Sequence, residues 1–157
     1  MSTTPGLKTR LQSDLTTAMK ARDAVRSATI RMVLTAVRAE EVAGTSAREL
    51  SDAEVTTVVT KEAKKRREAA QAYDDAGRQE LANRERAELD VLADYLPEQL
   101  SDEQIAALVT AAVEAAAADG ATGRGAMGAV MKRVKPQTDG KADGGAVAAE
   151  VRRQLGM

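Results

Sequence analysis

The chain has 157 residues, of which 43% are hydrophobic and 30% charged, and its net charge is −1; these values fit a soluble globular protein of one domain or two small ones. It contains no Cys and no His, which excludes disulfides and thiol catalysis and removes the commonest general base and transition-metal ligand. No apolar run approaches the roughly 20 residues that span a bilayer, and the first residues lack the pattern of a secretory signal, so we expect a cytoplasmic protein with no membrane partner and no cofactor.

Two helices are predicted in the first part of the chain. The first is expected to begin at Thr3 or Thr4, because Pro5 suits the first turn of a helix. Its apolar side repeats every four residues, at Leu7, Leu11, Leu15 and Met19. The second is expected to begin at Asp23, whose carboxylate can accept hydrogen bonds from the following amides. Its apolar side is predicted to hold Val25, Thr29, Met32, Val33, Ala36 and Val37.

Two further helices are predicted before Pro97. Ser51 and Glu54 form a capping box, in which each side chain bonds the backbone amide of the other residue. This box opens a third helix that is expected to run to about Ala72. After a turn at Gly77 a fourth helix follows, and we expect Pro97 to end it because proline has no amide hydrogen. The residues that recur at helical spacing in this fourth helix are Leu81, Glu85, Leu89, Leu92 and Leu96.

Three shorter helices are predicted after Pro97. Ser101 and Gln104 form a second capping box, which opens the fifth helix. Thr122 is expected to cap the sixth helix, and Asp143 is expected to cap the seventh. Pro136 is expected to end the sixth helix. The inward positions of that helix are predicted to be Met127, Val130, Met131 and Val134.

The pattern as a whole predicts an all-α fold. No segment shows sustained strand alternation, and no turn signals are spaced as in hairpins. We predict two helical subdomains, a four-helix N-terminal part over residues 1–97 and a three-helix, tail-like C-terminal part over residues 98–157. Neither the angle between them nor the oligomeric state is readable from the sequence.

Positive charge is concentrated in the segment 124–141, the basic tail. Five basic residues stand there against Asp139 alone, which gives a local charge of +4 in a chain whose total is −1. The five are Arg124, Lys132, Arg133, Lys135 and Lys141. Positive charge beside the exposed amides of a glycine-opened helix start suits a partner that carries phosphate.

The glycines of the basic tail match the dinucleotide pattern GxGxxG over residues 123–128, with Asp143 about 20 residues onward. The context differs, because the pattern follows an alanine-rich helix and a dinucleotide site follows a buried strand. Two compatible interpretations remain open. The glycines serve a tight turn and close helix packing, or their bare amides also contact a nucleic-acid phosphate.

A second group of basic residues lies in residues 61–68, five of them in eight positions. Glu62 can pair with Arg66 four residues later, and a solvated helix face is the usual interpretation of such a pattern. The alternative is a contact with an RNA backbone. This secondary basic patch comprises Lys61, Lys64, Lys65 and Arg67. No aromatic residue is interleaved with it, so base stacking on this helix is not expected.

The remaining candidates for chemistry are carboxylate pairs and hydroxyls. The carboxylate pairs are Glu40 with Glu41, Glu85 with Glu88, and Asp90 with Asp94. A di-iron bundle requires Glu-x-x-His motifs, which a chain without His cannot supply. We therefore expect surface acids facing Arg84 and Arg86 and no metal site of this kind, and the sequence leaves weak binding of magnesium open. No Gly-x-Ser-x-Gly elbow and no phosphate-cradling GxxxxGK[ST] loop occurs, so we predict no catalytic residues.

Six short motifs, in order along the chain, resemble the YqeY-like proteins. They are Ser51-Asp52-x-Glu54-Val55, Lys64-x-Arg66-Arg67-Glu68, Ala76-Gly77-Arg78, Tyr95-Leu96-Pro97-x-Gln99-Leu100-Ser101, Met127-Gly128-x-Val130-Met131-Lys132 and Gly140-x-x-Asp143-Gly144. Members of this family are small, free-standing relatives of the C-terminal region of GatB, a subunit of the glutamine-dependent aminoacyl-tRNA amidotransferase. The resemblance extends from about Leu7 to Leu155.

The resemblance implies an all-α fold and a role next to tRNA. The corresponding region of GatB is not catalytic and helps to grip the tRNA body, while the amidotransferase chemistry belongs to parts that this chain lacks. A label of carbon–nitrogen ligase with glutamine as amido donor would therefore reflect homology. The nearest counterparts of the tRNA-gripping surface are Gly128, Lys132 and Gly140, to which Lys135 and Lys141 are added from charge alone.

The sequence leaves three functions open. The first is a non-catalytic helical module that binds tRNA or a structured RNA through the basic tail. The second is an adaptor that docks on an amidotransferase, a synthetase or another protein partner. The third is an intrinsic ligase or amidotransferase activity, which the missing catalytic constellations disfavour.

Overall fold

The computed structural model describes residues 5–157, so the helix start predicted at Thr3 or Thr4 lies outside the described residues. Within that range every regular element is a helix, which confirms the all-α prediction. The α-helices are α1 (Leu7–Lys20), α2 (Ala24–Glu41), α3 (Asp52–Asp75), α4 (Gln79–Ala93), α5 (Asp102–Ala118), α6 (Met127–Thr138) and α7 (Gly144–Gln154), with a 3₁₀ turn over Gly123–Ala126.

The chain forms two compact units that divide between Leu96 and Pro97. The N-terminal unit contains α1 to α4. Within it, α1 packs on α2 and α3 packs on α4. The C-terminal unit contains α5 to α7, each of which contacts the other two. That these units behave as independent subdomains stays a prediction.

Polar side chains determine where four of the helices begin. Ser51 and Ser101 each form the predicted capping box, with both reciprocal hydrogen bonds present. Asp23 and Asp143 each accept a hydrogen bond from the amide three residues later, at 3.0 and 3.2 Å. A cap of this kind stabilises a protein by about 1 kcal/mol because it satisfies an amide that the helix leaves unpaired. These four predicted caps are confirmed.

Three predicted helix boundaries are wrong. The helix α4 ends at Ala93 and not at Pro97, because the following amides bond to carbonyls three residues back in tighter turns. Pro136 lies inside α6, which continues to Thr138, since a proline in the last turn costs one hydrogen bond without unwinding the turns before it. Thr122 makes no capping bond, and the 3₁₀ turn separates it from α6.

Small aliphatic side chains fill the core of the N-terminal unit. Its buried residues are Leu11, Ile30, Val33, Val37, Leu50, Val55, Val59, Ala63, Val91, Leu92 and Tyr95. Met19, predicted on the inward stripe of α1, is 50% exposed, and Ala18 is buried in its place. A four-residue repeat drifts around a helix of 3.6 residues per turn, so its fourth member leaves the buried face. Val25 and Met32 are likewise exposed, against prediction.

Tyr95 joins α1 to the end of α4. Its ring is buried, and its hydroxyl donates to Asp14 Oδ2 at 2.6 Å. The Arg10 guanidinium lies 4.8 Å from the centre of the ring, a cation–π contact. Burial, with the bond to Asp14, raises the pKa of the Tyr95 hydroxyl to about 12, so this hydroxyl remains a donor even in alkaline solution.

A buried arginine joins α3 to α4. Arg66 is 6% exposed, and its Nη1 lies 2.6 Å from Glu62 Oε2, which confirms the pair predicted from their spacing. Its Nε lies 3.3 Å from Glu88 Oε2 on α4. Burial and the neighbouring Glu88 raise the pKa of Glu85. A buried guanidinium therefore lies between two carboxylates, Glu62 of α3 and Glu88 of α4.

This buried group corrects the prediction that the acids of α4 are surface groups facing Arg84 and Arg86. Glu88 faces Arg66 and is only 20% exposed in its side chain. Arg86 pairs instead with Asp74 at the end of α3. These ion pairs therefore help to hold α3 and α4 together.

Replacing Arg66 with Met should lower the free energy of unfolding by about 3 kcal/mol, because the partly buried Glu88 would lose its counter-charge. The buried Glu62 would keep, among the described residues, only the exposed Lys65, 3.2 Å away. The triple variant E62L/R66M/E88L should return to within about 1 kcal/mol of the original protein, since well-packed apolar groups often replace a buried ion network without loss. Urea denaturation measures both. A triple variant as unstable as R66M would contradict this role for Arg66.

Replacing Glu85 with Gln should stabilise the protein at pH 7 by about 0.5 kcal/mol, the scale of a like-charge pair on a helix. The raised pKa means that the folded state favours protonated Glu85. The contribution of protonated Glu85 to the free energy of unfolding is therefore present below about pH 4.3, the pKa of glutamate in the unfolded chain. It is lost as the pH rises through the higher pKa of Glu85 in the folded protein. Unfolding of both proteins at pH 3 and pH 7 should show the gain at pH 7 only; an equal gain at both pH values would refute the charge explanation.

Candidate nucleic-acid interface

The packing of α6 determines which residues of the basic tail face outward. Val130 and Val134 are fully buried against the core of the C-terminal unit, which confirms their predicted inward positions, and Met127 and Met131 are partly buried beside them. Lys132 and Lys135 lie on the opposite side of the helix, where both are exposed. We call these two lysines, together with Gly128 on the same side, the cationic face of α6.

The cations of the basic tail fall into two groups. Lys132, Lys135, Arg124 and Lys141 are exposed, and none of them has a carboxylate within 4.0 Å among the described residues. Arg133 differs, because its guanidinium pairs with Asp119 just after α5. Four positive charges of the tail are therefore uncompensated within the described part of the chain, and the fifth is already neutralised.

These cations do not form a single cluster. Lys132 and Lys135 share one side of α6 because three residues are close to one helical turn. Arg124 lies in the 3₁₀ turn before α6 and Lys141 in the loop after it. The helix between them is about 18 Å long at 1.5 Å per residue. The arrangement suits an extended anionic partner, such as a nucleic-acid backbone, more than a single phosphate ion.

The loop after α6 is held in place by the segment before α5. The Leu100 amide donates to the Lys141 carbonyl at 2.8 Å, and the Gln99 side chain donates to the Gly140 carbonyl at 3.0 Å. Gly140 has a φ of 74°, a left-handed conformation that glycine adopts without strain. The position of Lys141 therefore depends on a fixed turn and not on a free end.

The glycines before and within α6 differ in whether their backbone conformation requires glycine. Gly123 has a φ of 64° and needs to be glycine for its turn. Gly125 and Gly128 have no such φ, and a Cβ atom at either would meet nothing within 4 Å. The close-packing interpretation is therefore wrong for these two residues. Their open backbone leaves room for a partner to approach the start of α6.

The strand context of a dinucleotide site is absent from the described residues. The 3₁₀ turn over Gly123–Ala126 follows the helix α5, as the alanine-rich pattern predicted. Asp143, the nominal ribose ligand of the GxGxxG pattern, caps α7 instead. The tail therefore lacks the strand–turn–helix unit that gives this pattern its function.

The secondary basic patch on α3 is less suited to an anionic partner. Lys65 lies 3.2 Å from Glu62, and Lys64 lies 4.0 Å from Glu68. Lys61 and Arg67 have no carboxylate within 4.0 Å among the described residues. Half of the patch is therefore partnered within its own helix, which agrees with the interpretation as a solvated helix face.

The described residues lack both an acidic cluster of the kind that holds a metal ion and a single helix that could span a membrane. Residues 5–157 contain no group of three or more acidic side chains placed to hold a metal ion. No single helix there is both long and apolar enough to cross a membrane; α5 with the bent continuation Gly123–Thr138 meets that test as a pair, by length and composition only.

Replacing Gly128 with Ala should raise the free energy of unfolding by about 0.5 kcal/mol, because alanine favours the helix and nothing occupies the space of its Cβ. The matched control is Gly123→Ala, which should lower it by about 1 kcal/mol because the left-handed backbone opposes a side chain. Urea denaturation of the two variants gives the comparison. A loss of stability in G128A would mean that this glycine is needed for packing.

Comparison with known proteins identifies the family. Residues 8–155 match the family model described as "Yqey-like protein". No curated protein matches the chain. The match covers nearly the whole sequence and includes all seven described α-helices, apart from the first residue of α1. The chain therefore belongs to the YqeY-like family, as its six motifs predicted.

Proposed function

We propose that the chain binds tRNA or another structured RNA through the cationic face of α6 and catalyses no reaction of its own. The observation that carries this proposal is the pair of exposed lysines, Lys132 and Lys135, which have no acidic partner among the described residues and lie beside the open backbone at Gly128. Uncompensated cations on an accessible helix face are a common means by which proteins hold a phosphate backbone.

The proposed contact is with phosphates and not with bases. Lysine ammonium groups act as point charges on phosphate. The chain has no Phe and no Trp, and its two tyrosines both precede Pro97. The C-terminal unit therefore has no aromatic ring on which a base can stack. Recognition of RNA shape, with little reading of sequence, follows from this set of side chains.

The resemblance to the C-terminal region of GatB supports tRNA as the RNA in question. It also links the proposal to glutamine-dependent amidotransferase systems, next to which a free-standing tRNA-gripping module would act. A cytoplasmic location belongs to the same proposal. Ammonia release from glutamine by the purified chain alone would overturn the non-catalytic part, because no partner subunit would then be needed.

Reversing two charges, in K132E/K135E, should weaken tRNA binding at low salt by at least about tenfold, because two attractions become repulsions. The logarithm of the affinity should also fall less steeply with the logarithm of salt concentration. The slope should decrease by about two, one for each lysine that no longer pairs with a phosphate. Filter binding over a series of salt concentrations measures both quantities.

The matched control is K20E/R84E, which makes the same change in net charge at two exposed positions outside the basic tail. It should keep most of the affinity and the original salt slope. K61E/K64E tests the secondary basic patch in the same way. An equal loss of affinity in all three variants would mean that net charge, and not the position of the two lysines, determines binding. The absence of measurable tRNA binding at low salt would reject the proposal.

A further inference from the structure

A groove between α1 and α2 carries positive charge that the proposed function does not use. It has a volume of about 350 Å³ and lies wholly within the N-terminal unit. Lys8 and Leu15 line it from α1, and Arg31, Leu34, Arg38 and Glu41 line it from α2.

The one acid of this groove is already compensated. Lys8 Nζ lies 2.9 and 3.0 Å from the two carboxylate oxygens of Glu41, and the Leu50 amide donates to the same carboxylate at 3.2 Å. The hydrogen bond from Lys8, with that from Leu50, lowers the pKa of Glu41. Glu41, predicted to be a surface acid, is in fact buried. It therefore holds Lys8 in place and offers no charge to a partner.

Arg31 and Arg38 remain uncompensated. Both are exposed, and neither has a carboxylate within 4.0 Å among the described residues. They are seven residues apart on α2 and so lie on the same side, two turns or about 10 Å apart. The groove thus presents two guanidinium groups at a spacing that one face of a second helix can match.

The floor of the groove is apolar. Leu15 and Leu34 are partly buried, pack on the core of the N-terminal unit and also line the groove. Apolar side chains of a partner would gain free energy by covering them. A phosphate backbone has no such groups and would leave the leucines exposed to water. The combination of an apolar floor with arginines along one wall therefore favours a protein partner over a nucleic acid.

We infer that this groove docks an acidic amphipathic helix of a partner protein. Carboxylates seven residues apart on the partner helix pair with Arg31 and Arg38, each guanidinium being able to hold a carboxylate through two parallel hydrogen bonds. An apolar side chain between them lies on Leu15 and Leu34, as in other helix-in-groove complexes. This inference rests on the N-terminal unit alone, so it stands or falls independently of RNA binding by the basic tail.

The test uses a fluorescein-labelled synthetic helix of about 15 residues, with two Glu seven residues apart and Leu on the same face between them. Fluorescence anisotropy should show saturable binding to the full chain. The variant R31E/R38E should bind the peptide at least about tenfold more weakly. The control K20E/R84E, with the same net charge, should bind it as the original protein does, and circular dichroism should show equal helix content in all three.

Two matched peptides separate the contributions of charge and apolar contact. Replacing the central Leu with Ser, and separately both Glu with Gln, should each weaken binding. Equal binding of either control peptide would overturn the inference, as would unchanged binding by R31E/R38E. A loss of tRNA affinity in R31E/R38E that matches the loss in K132E/K135E would assign the groove to RNA. Sedimentation showing a dimer that R31E/R38E dissociates would assign it to a second copy. Either result would overturn the inference.

Discussion

The burial of Val130 and Val134 against α5 and α7 is the constraint that determines which side of α6 faces outward. A helix that turns these valines inward must turn Lys132 and Lys135 outward, because the positions lie on opposite sides at 3.6 residues per turn. Rotating α6 to reverse this arrangement would bury two ammonium groups without partners and expose two valines, at a cost of several kcal/mol. The cationic face is therefore a consequence of core packing in the C-terminal unit.

Features that depend on a few neighbouring residues were predictable from the sequence. The caps at Ser51 and Ser101 require only a hydroxyl and an acceptor three residues later, so the local pattern suffices. The all-α class follows from periodicity in the same way. Helix ends were less predictable, because α4 passes into tighter turns after Ala93. Inward positions were also less predictable, because the four-residue repeat of α1 drifts until Ala18 and not Met19 is buried.

Contacts between residues distant in the chain could not be predicted in this way. Charge composition predicted a basic tail, but only the fold shows that Asp119 neutralises Arg133 and leaves Lys132 without a partner among the described residues. The same holds for the approach of Glu88 to Arg66 across two helices. The sequence therefore identifies which segment carries the charge, while tertiary structure determines which of those charges are available to a partner.

The two proposed surfaces place different chemistry on the two units. The C-terminal unit offers point charges and open backbone, and the N-terminal unit offers a groove with an apolar floor. The central claim concerns the first of these and is tested most directly by amide chemical shifts of the isotope-labelled chain during a tRNA titration. We expect shifts concentrated in residues 124–141, largest around Gly128 and Lys132. Shifts confined to α1–α4, with the tail unaffected, would contradict RNA binding by the cationic face.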